Sequence, residues 1–117
     1  MNRLASAVFA AAPQVRYVAT YQHDQLELNQ RDGLAGASAP ESDKYEELLV
    51  NPTLLTLLTQ RGDIDCGGLS YVLVRYGSFF QFVARVPGGH ISVALEPSVD
   101  LATVERIRKL IADGAGE

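Results

Sequence analysis

The spacing of apolar and polar residues divides the first part of the chain into one helical and two extended segments. Residues 3–12 carry apolar side chains at helical spacing and stop at Pro13, which predicts a short amphipathic helix. Residues 14–21 change to β-branched and aromatic side chains with a period near two, and residues 25–30 alternate Leu with polar side chains. The two extended segments predict a β-hairpin with a short polar turn at residues 23–24.

The middle of the chain predicts a leucine-rich helix with one interruption. Ser42 and Asp43 are suited to cap its start. Asn51–Pro52 favours a break or kink, because the residue before a proline is disfavoured in helical geometry. The second helical piece, residues 52 to about 60, carries Leu on two adjacent sides and precedes Gly62, a candidate C-cap. Because this apolar arc is wider than one sheet contact requires, we expect the helix to bury a second surface.

Three short apolar runs and a final amphipathic segment complete the pattern. The runs at residues 69–76, 79–86 and 90–96 are separated by Gly and Pro turns and predict an antiparallel meander. The first run has large apolar side chains at both odd and even positions, so both faces of this strand would be buried; this favours helices on both faces of the sheet. The last segment begins at an Asp100 cap, places its apolar residues along one stripe and stops at Gly114, so it predicts a closing helix.

Together these elements predict an α+β fold with the order α-β-β-α-β-β-β-α. Its five-stranded antiparallel sheet is sandwiched between helices. Of the 117 residues, 47% are apolar and 21% are charged, which is typical of a folded globular chain. A chain of this length is expected to form a single domain over residues 1–117.

Net charge and cysteine content narrow the function classes. The net charge is −4, and the basic trio Arg106, Arg108 and Lys109 fits the last turns of a helix better than a nucleic-acid surface. The single cysteine, Cys66, cannot form an intramolecular disulfide, so nothing calls for an oxidising compartment. The N-terminal pattern suits a packed helix better than a signal peptide, and no segment approaches the ~20 apolar residues of a membrane helix. We therefore expect a cytoplasmic protein that binds neither nucleic acid nor membrane.

Cys66 is the first candidate for reactive chemistry. A cysteine nucleophile needs an activating base, and neither His23 nor His90 is near Cys66 in sequence. A zinc site from these three residues would lack the paired short spacings typical of such sites. We expect Cys66 to be a small, inert residue at a strand entry; catalysis by Cys66 stays open as an alternative.

Other motif-like residues also have local interpretations. Asp63 and Asp65 are expected to hydrogen-bond turn amides, and the tripeptide Arg61–Asp63 matches an adhesion motif by chance. The glycine pairs lack the pattern of a phosphate-binding loop, so we expect no cofactor, no metal and no enzymatic activity. Five aromatic residues in the C-terminal half are expected to belong to the core and to a dimer interface, with a ligand pocket as the alternative. They are Tyr71, Tyr76, Phe79, Phe80 and Phe82.

The element order and the stretch YGSFFQFVARVPGGHISVALEPSVDLATVERIRKLI (residues 76–111) resemble the roadblock/LC7 family. Its members include dynein light chains and bacterial partners of Ras-like GTPases. The resemblance covers nearly the whole chain, and its motifs are apolar patterns and glycines. It implies a non-enzymatic homodimer that acts as a scaffold or regulator, with a small Ras-like GTPase as a partner. The predicted break at Asn51–Pro52 departs from the usually continuous central helix of that family.

The resemblance also implies where the homodimer forms: central helices pack side by side and third strands meet edge to edge. The strand predicted at residues 69–76 has no Pro or Lys to protect its edge, which agrees with such pairing. The alternative function is a small-molecule sensor of PAS-like or profilin-like type, with its ligand between sheet and helix. The expected dimer interface consists of Leu48, Leu55, Leu58, Leu69, Tyr71, Leu73 and Arg75.

Overall fold

The computed structural model describes residues 1–34 and 39–114. Within these residues, four α-helices, one π-helical turn and five strands follow one another in the predicted order, which confirms the α+β fold with an antiparallel sheet. The helical elements are α1 (Arg3–Ala11), α2 (Pro40–Tyr45), the π-helical turn (Glu46–Val50), α3 (Asn51–Asp65) and α4 (Leu101–Gly114). The strands are β1 (Val15–Gln22), β2 (Gln25–Gln30), β3 (Val72–Arg75), β4 (Phe80–Val86) and β5 (Gly89–Leu95).

The sheet has the strand order β2-β1-β5-β4-β3, and each neighbouring pair is antiparallel. β2 and β3 therefore form its edges. β3 is shorter than the run that predicted it, since its ladder with β4 extends only from the Val72–Val83 pair to the Arg75–Phe80 pair. Leu69 precedes the strand, after two glycines with positive φ angles. The predicted strand at residues 69–76 is thus corrected to Val72–Arg75.

One face of the sheet carries the hydrophobic core. Helices α1 and α4 cover it and contact each other. Phe82, Ile91 and Leu95 of the central strands are fully buried there, against Val8 of α1 and Ile107 of α4. The Thr103 amide donates to Asp100 Oδ1 at 2.8 Å, so α4 begins with the predicted cap. Burial of these large side chains is the main source of stability in a chain of this size.

The opposite face lies under the α2–α3 helix and is poor in large apolar side chains. Its buried apolar cluster consists of Tyr17, Ala19 and Ala94, with Leu28 and Phe79 partly buried beside it. A register shift between Val15 and Tyr17 places a β-bulge in β1. With so little apolar volume, this side of the sheet leaves room for polar contacts and for a cavity.

The central helix is continuous through Asn51–Pro52, so the predicted break at these residues is wrong. Val50 (φ −69°, ψ −55°) and Asn51 (φ −64°, ψ −44°) are both helical, and the Asn51 amide donates to the Glu46 carbonyl, five residues earlier. A proline ring normally clashes with the carbonyl four residues before it, here that of Leu48. The wider π-helical turn relieves that clash, and the helix accommodates Pro52 without ending.

Both ends of the central helix differ from the predictions. It begins after Ala39 with Pro40 in its first turn, rather than at a Ser42 or Asp43 cap. Gly62 is not its C-cap, because the helix extends to Asp65. The amides of Cys66 and Gly68 both donate to the Gly62 carbonyl, at 3.1 and 3.0 Å.

Gly62 allows a close backbone approach. A Cβ atom there would lie 3.1 Å from the Gly68 carbonyl carbon and 3.1 Å from the Leu69 nitrogen. The turn itself depends on Gly67 and Gly68, whose φ angles of +79° and +87° are unfavourable for other residues.

Candidate functional site

The first candidate site is an apolar surface on the outside of the central helix. Leu49, Leu57 and Ile64 are 57%, 58% and 76% exposed, and none of them belongs to the dimer interface expected from the sequence. Two helix residues of that expected interface are also exposed: Leu48 by 44% and Leu58 by 37%. We call these five residues the helix strip.

Leu55, the third helix residue expected at the interface, has a different position. It is only 3% exposed and lies on the side of α3 that faces the sheet. Its assignment to an exposed interface is therefore corrected.

The strand residues of the expected interface lie at the edge of the sheet. Tyr71 and Leu73 are half-buried and pack against the core under α1 and α4, with the Tyr71 ring stacked on Phe82 at a centroid distance of 5.1 Å. Arg75 is exposed, and its guanidinium lies 5.0 Å from the Phe80 ring centroid. Only one side of β3 pairs within the described chain, so its other edge presents free backbone groups.

A second candidate site is a buried polar cluster at the π-helical turn. Glu47 is fully buried and receives three contacts: the Tyr17 hydroxyl donates to Oε2 at 2.8 Å, Asn51 Nδ2 donates to Oε1 at 3.0 Å, and His90 Nε2 lies 2.8 Å from Oε1. Burial, with the Glu47 charge beside it, raises the pKa of the Tyr17 phenol far above its usual value. The cluster ties the π-helical turn to β1 and β5.

The sequence analysis did not identify this cluster. One signal was available: Glu47 and Asn51 are four residues apart and so share a helix face. π-helical turns also occur frequently at functional sites. No sequence pattern connects Glu47 to Tyr17 or to His90.

A cavity of about 530 Å³ lies beside this cluster, between the start of the central helix and the sheet. Tyr17 and Phe79 form part of its apolar wall, while Asp43 and Glu46 contribute carboxylates from the helix. The Tyr76 hydroxyl donates to Glu46 Oε1 at 3.1 Å. Burial, and after it the neighbouring carboxylates, raise the pKa of Asp43 and of Glu46; the hydrogen bond from Tyr76 opposes the rise at Glu46.

Cys66 is exposed and caps the end of α3. The prediction that it lies at the entry to a strand is therefore wrong. Its Sγ donates to Asp65 Oδ1 at 3.4 Å. Neither His23, in the β1–β2 turn, nor His90 pairs with the thiol in the described part of the chain. Asp65 forms an ion pair with Arg61 at 2.7 Å instead of the expected bond to a turn amide, and these bonds lower its carboxyl pKa.

In residues 1–34 and 39–114, no group of three or more His, Cys, Asp or Glu side chains is arranged to hold a metal ion. No helix there combines the length and the apolar content needed to cross a bilayer.

The fold of the chain is roadblock-like. A long helix lies over one face of the β2-β1-β5-β4-β3 sheet and two terminal helices lie over the other. No protein-family model matches the sequence. No curated protein matches it either. Solved structures do match, and they have the roadblock/LC7 fold that the sequence resemblance implied.

Three of these structures show the extent of the likeness. A roadblock/LC7 domain from Streptomyces avermitilis is 18% identical, with a TM-score of 0.66 over 97% of this chain and 95% of that one. MglB in a tetrameric arrangement is 11% identical, with a TM-score of 0.65 over 97% and 88%. The gliding protein MglB from Thermus thermophilus is 12% identical, with a TM-score of 0.61 over 97% and 89%. At these identities the likeness establishes the fold.

Proposed function

We propose that this protein is a non-enzymatic, homodimeric scaffold or regulatory protein. The observation that carries the proposal is the helix strip: Leu49, Leu57 and Ile64 are each more than half exposed on one helix. Large apolar side chains grouped in this way mark protein interaction surfaces. The tetrameric arrangement of one MglB structure supports self-association as a use of this fold.

In the proposed dimer, two copies of the helix strip pack together and two β3 edges pair with each other. A two-fold axis through both contacts would bury the same patch of each copy. Leu48, Leu58 and the β3 residues Leu73 and Arg75 would lie at this interface. Leu69 and Tyr71 would flank it, since both precede β3.

The oligomeric state tests this proposal directly. Leu57→Asp places a charge at the proposed interface, and we expect it to convert a dimer into a monomer at micromolar concentration, measured by light scattering coupled to size exclusion. Leu101→Asp is the matched control, because Leu101 is 64% exposed on α4, which covers the opposite face of the sheet. A monomeric wild-type protein, or equal effects of the two variants, would contradict the dimer.

The partner in this proposal is a small Ras-like GTPase, as the family resemblance suggests. Its test is a pull-down from native cytosol with the wild type and with the dissociated Leu57→Asp variant. The binding is then repeated with the purified GTPase loaded with GDP or with a non-hydrolysable GTP analogue. A GTPase that binds in one nucleotide state supports the proposal, and the absence of any GTPase contradicts it.

A cytoplasmic location is part of the same proposal. Cys66 is exposed and forms no disulfide, which suits a reducing compartment. Cell fractionation tests it, and recovery of the protein outside the cytosolic fraction would contradict it.

A second candidate function is small-molecule sensing. The observation that favours it is the cavity of about 530 Å³ between the sheet and the central helix. Native mass spectrometry of the protein isolated from its own cells tests for a retained ligand.

A further inference from the structure

Small and polar side chains of the sheet line part of the cavity under the central helix. Ala94 and Gln81 form part of its floor, and Tyr76 and Phe79 stand at the end of the sheet beside them. Its volume, about 530 Å³, lies within the range of roughly 300–1,000 Å³ that small-molecule sites occupy. Aromatic walls and a few converging polar groups are also typical of such sites.

The charges around the cavity are unbalanced. Among the described residues, four carboxylates line it, from Glu41, Asp43, Glu46 and Glu47, against one cation, Arg16. Arg16 Nη1 is 2.8 Å from Glu96 Oε1, so part of its charge is already compensated by a carboxylate that does not line the cavity.

Three of the four carboxylates have no basic partner in the part of the chain that the structure describes. Glu41, Asp43 and Glu46 form no ion pair with Lys or Arg there, and only His90 lies against Glu47. The hydrogen bonds that Asp43 and Glu46 accept come from uncharged groups, Gln30 Nε2 at 3.4 Å and the Tyr76 hydroxyl. Burial next to other carboxylates raises the pKa of Asp43 and of Glu46, so a bound cation would relieve an existing electrostatic cost.

The aromatic walls select among cations. Tyr17, Tyr76 and Phe79 line the cavity, and the Phe79 ring already lies 5.9 Å from the Arg16 guanidinium carbon. Aromatic rings attract organic ammonium and guanidinium groups while packing against apolar carbon. An inorganic divalent ion needs several oxygens converging at about 2.0–2.6 Å. No such group of side chains occurs in residues 1–34 and 39–114.

We propose that this cavity binds a small organic cation, an amine or guanidine carried on an apolar body. Its cationic group would lie against Asp43 and Glu46, and its body against Tyr76 and Phe79. This inference rests on the sensing candidate and does not require the homodimer, because Asp43 and Glu46 lie outside the helix strip. Occupancy of the cavity would bridge the start of the central helix to the β3–β4 end of the sheet.

The test uses the full chain and two probes of nearly equal shape. 2-Phenylethylamine is a cation at neutral pH and 2-phenylethanol is neutral, and binding of each is measured by NMR titration of the protein amides. We expect the amine to bind at the cavity at least about ten-fold more tightly than the alcohol, since charge-assisted bonds to carboxylates are the stronger class. Equal affinities, or no binding of the amine up to millimolar concentration, would overturn the proposal.

Variants then locate the site. Asp43→Asn and Glu46→Gln are each expected to weaken amine binding about ten-fold and to leave alcohol binding unchanged. Glu105→Gln on α4 is the matched control, because it removes a carboxylate from the opposite side of the sheet and should have no effect. If Glu105→Gln weakens binding as much as the cavity variants do, the amine responds only to overall charge and the site is wrong. Light scattering on the same samples keeps this result separate from the dimer, whose state should not change.

Discussion

The two faces of the sheet differ in what their side chains do. On the face under α1 and α4, Phe82, Ile91 and Leu95 are fully buried and form one continuous core. The face under the central helix carries Ala94, the polar cluster around Glu47 and an open cavity. The first face therefore supplies most of the buried apolar surface, whereas the second has fewer apolar contacts, more polar contacts and an unfilled volume. Candidate ligand binding therefore belongs to the second face.

The largest expected effect tests the apolar face. Phe82→Ala removes the largest fully buried side chain of the core, and we expect it to lower the free energy of unfolding by about 3–5 kcal/mol. Urea denaturation followed by circular dichroism measures the change. Gln81→Ala is the matched control on the neighbouring residue, whose side chain points to the other face and lines the cavity. A cost for Gln81→Ala equal to that of Phe82→Ala would contradict the contrast between the faces.

The second prediction breaks the polar cluster. Glu47→Ala leaves the Tyr17 hydroxyl, Asn51 and His90 without their shared partner, and we expect a loss of about 2–3 kcal/mol in the free energy of unfolding. Glu47→Gln keeps two hydrogen-bonding atoms in place and should cost less. Urea denaturation of both variants measures the two losses in the free energy of unfolding and shows which is larger. If both cost under about 0.5 kcal/mol, the cluster does not hold the helix to the sheet.

The third prediction concerns the junction between the central helix and β3. Gly62→Ala would place a Cβ atom 3.1 Å from backbone atoms of Gly68 and Leu69, so the chain after the helix must shift. We expect a loss of about 1–3 kcal/mol in the free energy of unfolding. Gly77→Ala is the control, because nothing lies within 4 Å of a Cβ atom there and its φ angle is unremarkable for a side-chain-bearing residue. Equal costs would contradict a close approach at Gly62.

Elements with a local signature could be predicted from the sequence. Strand β2 occupies the expected residues 25–30, and the Asp100 cap of α4 forms as expected, because alternation and capping depend on neighbours in sequence. The length of β3 was overestimated, because an edge strand begins only where its backbone pairs with the neighbouring strand, here β4. Local patterns therefore predicted the order of elements better than their ends.

The candidate site was less predictable for two physical reasons. The π-helical turn adds a residue to one turn of the central helix, which rotates the following side chains by about 100° relative to a regular helix. The sequence analysis expected a break at Asn51–Pro52, so it could not relate the faces of the helix before and after these residues; it selected Leu55, which is buried, and passed over Leu57, which is exposed. The cluster joins Glu47 to Tyr17 and His90, which are 30 and 43 positions away, and no local pattern records such contacts.

The smallest expected effect tests the unbalanced charge on the cavity face. Burial raises the pKa of Glu46 in the folded chain, so the folded state holds this proton to a higher pH than the unfolded state does. Ionisation of Glu46 therefore lowers stability as the pH rises from the unfolded pKa through the folded one, and the loss is complete above the folded pKa. Glu46→Gln removes this loss and leaves an acceptor for the Tyr76 hydroxyl. We expect the variant to melt at a higher temperature than the wild type at pH 7.

Melting curves of the two proteins from pH 3.5 to pH 7.5 check this sign. The advantage of Glu46→Gln should shrink as the pH falls and should vanish once the wild-type carboxyl is protonated in both the folded and the unfolded states. Because Glu46 is partly exposed, solvent screens the charge and the gain should stay below about 1 kcal/mol. Glu105→Gln on the opposite side of the sheet is expected to show no gain that grows with pH. A pH-independent difference between Glu46→Gln and wild type would mean that the carboxylate carries no electrostatic cost, and the cavity would then have no preference for a cation.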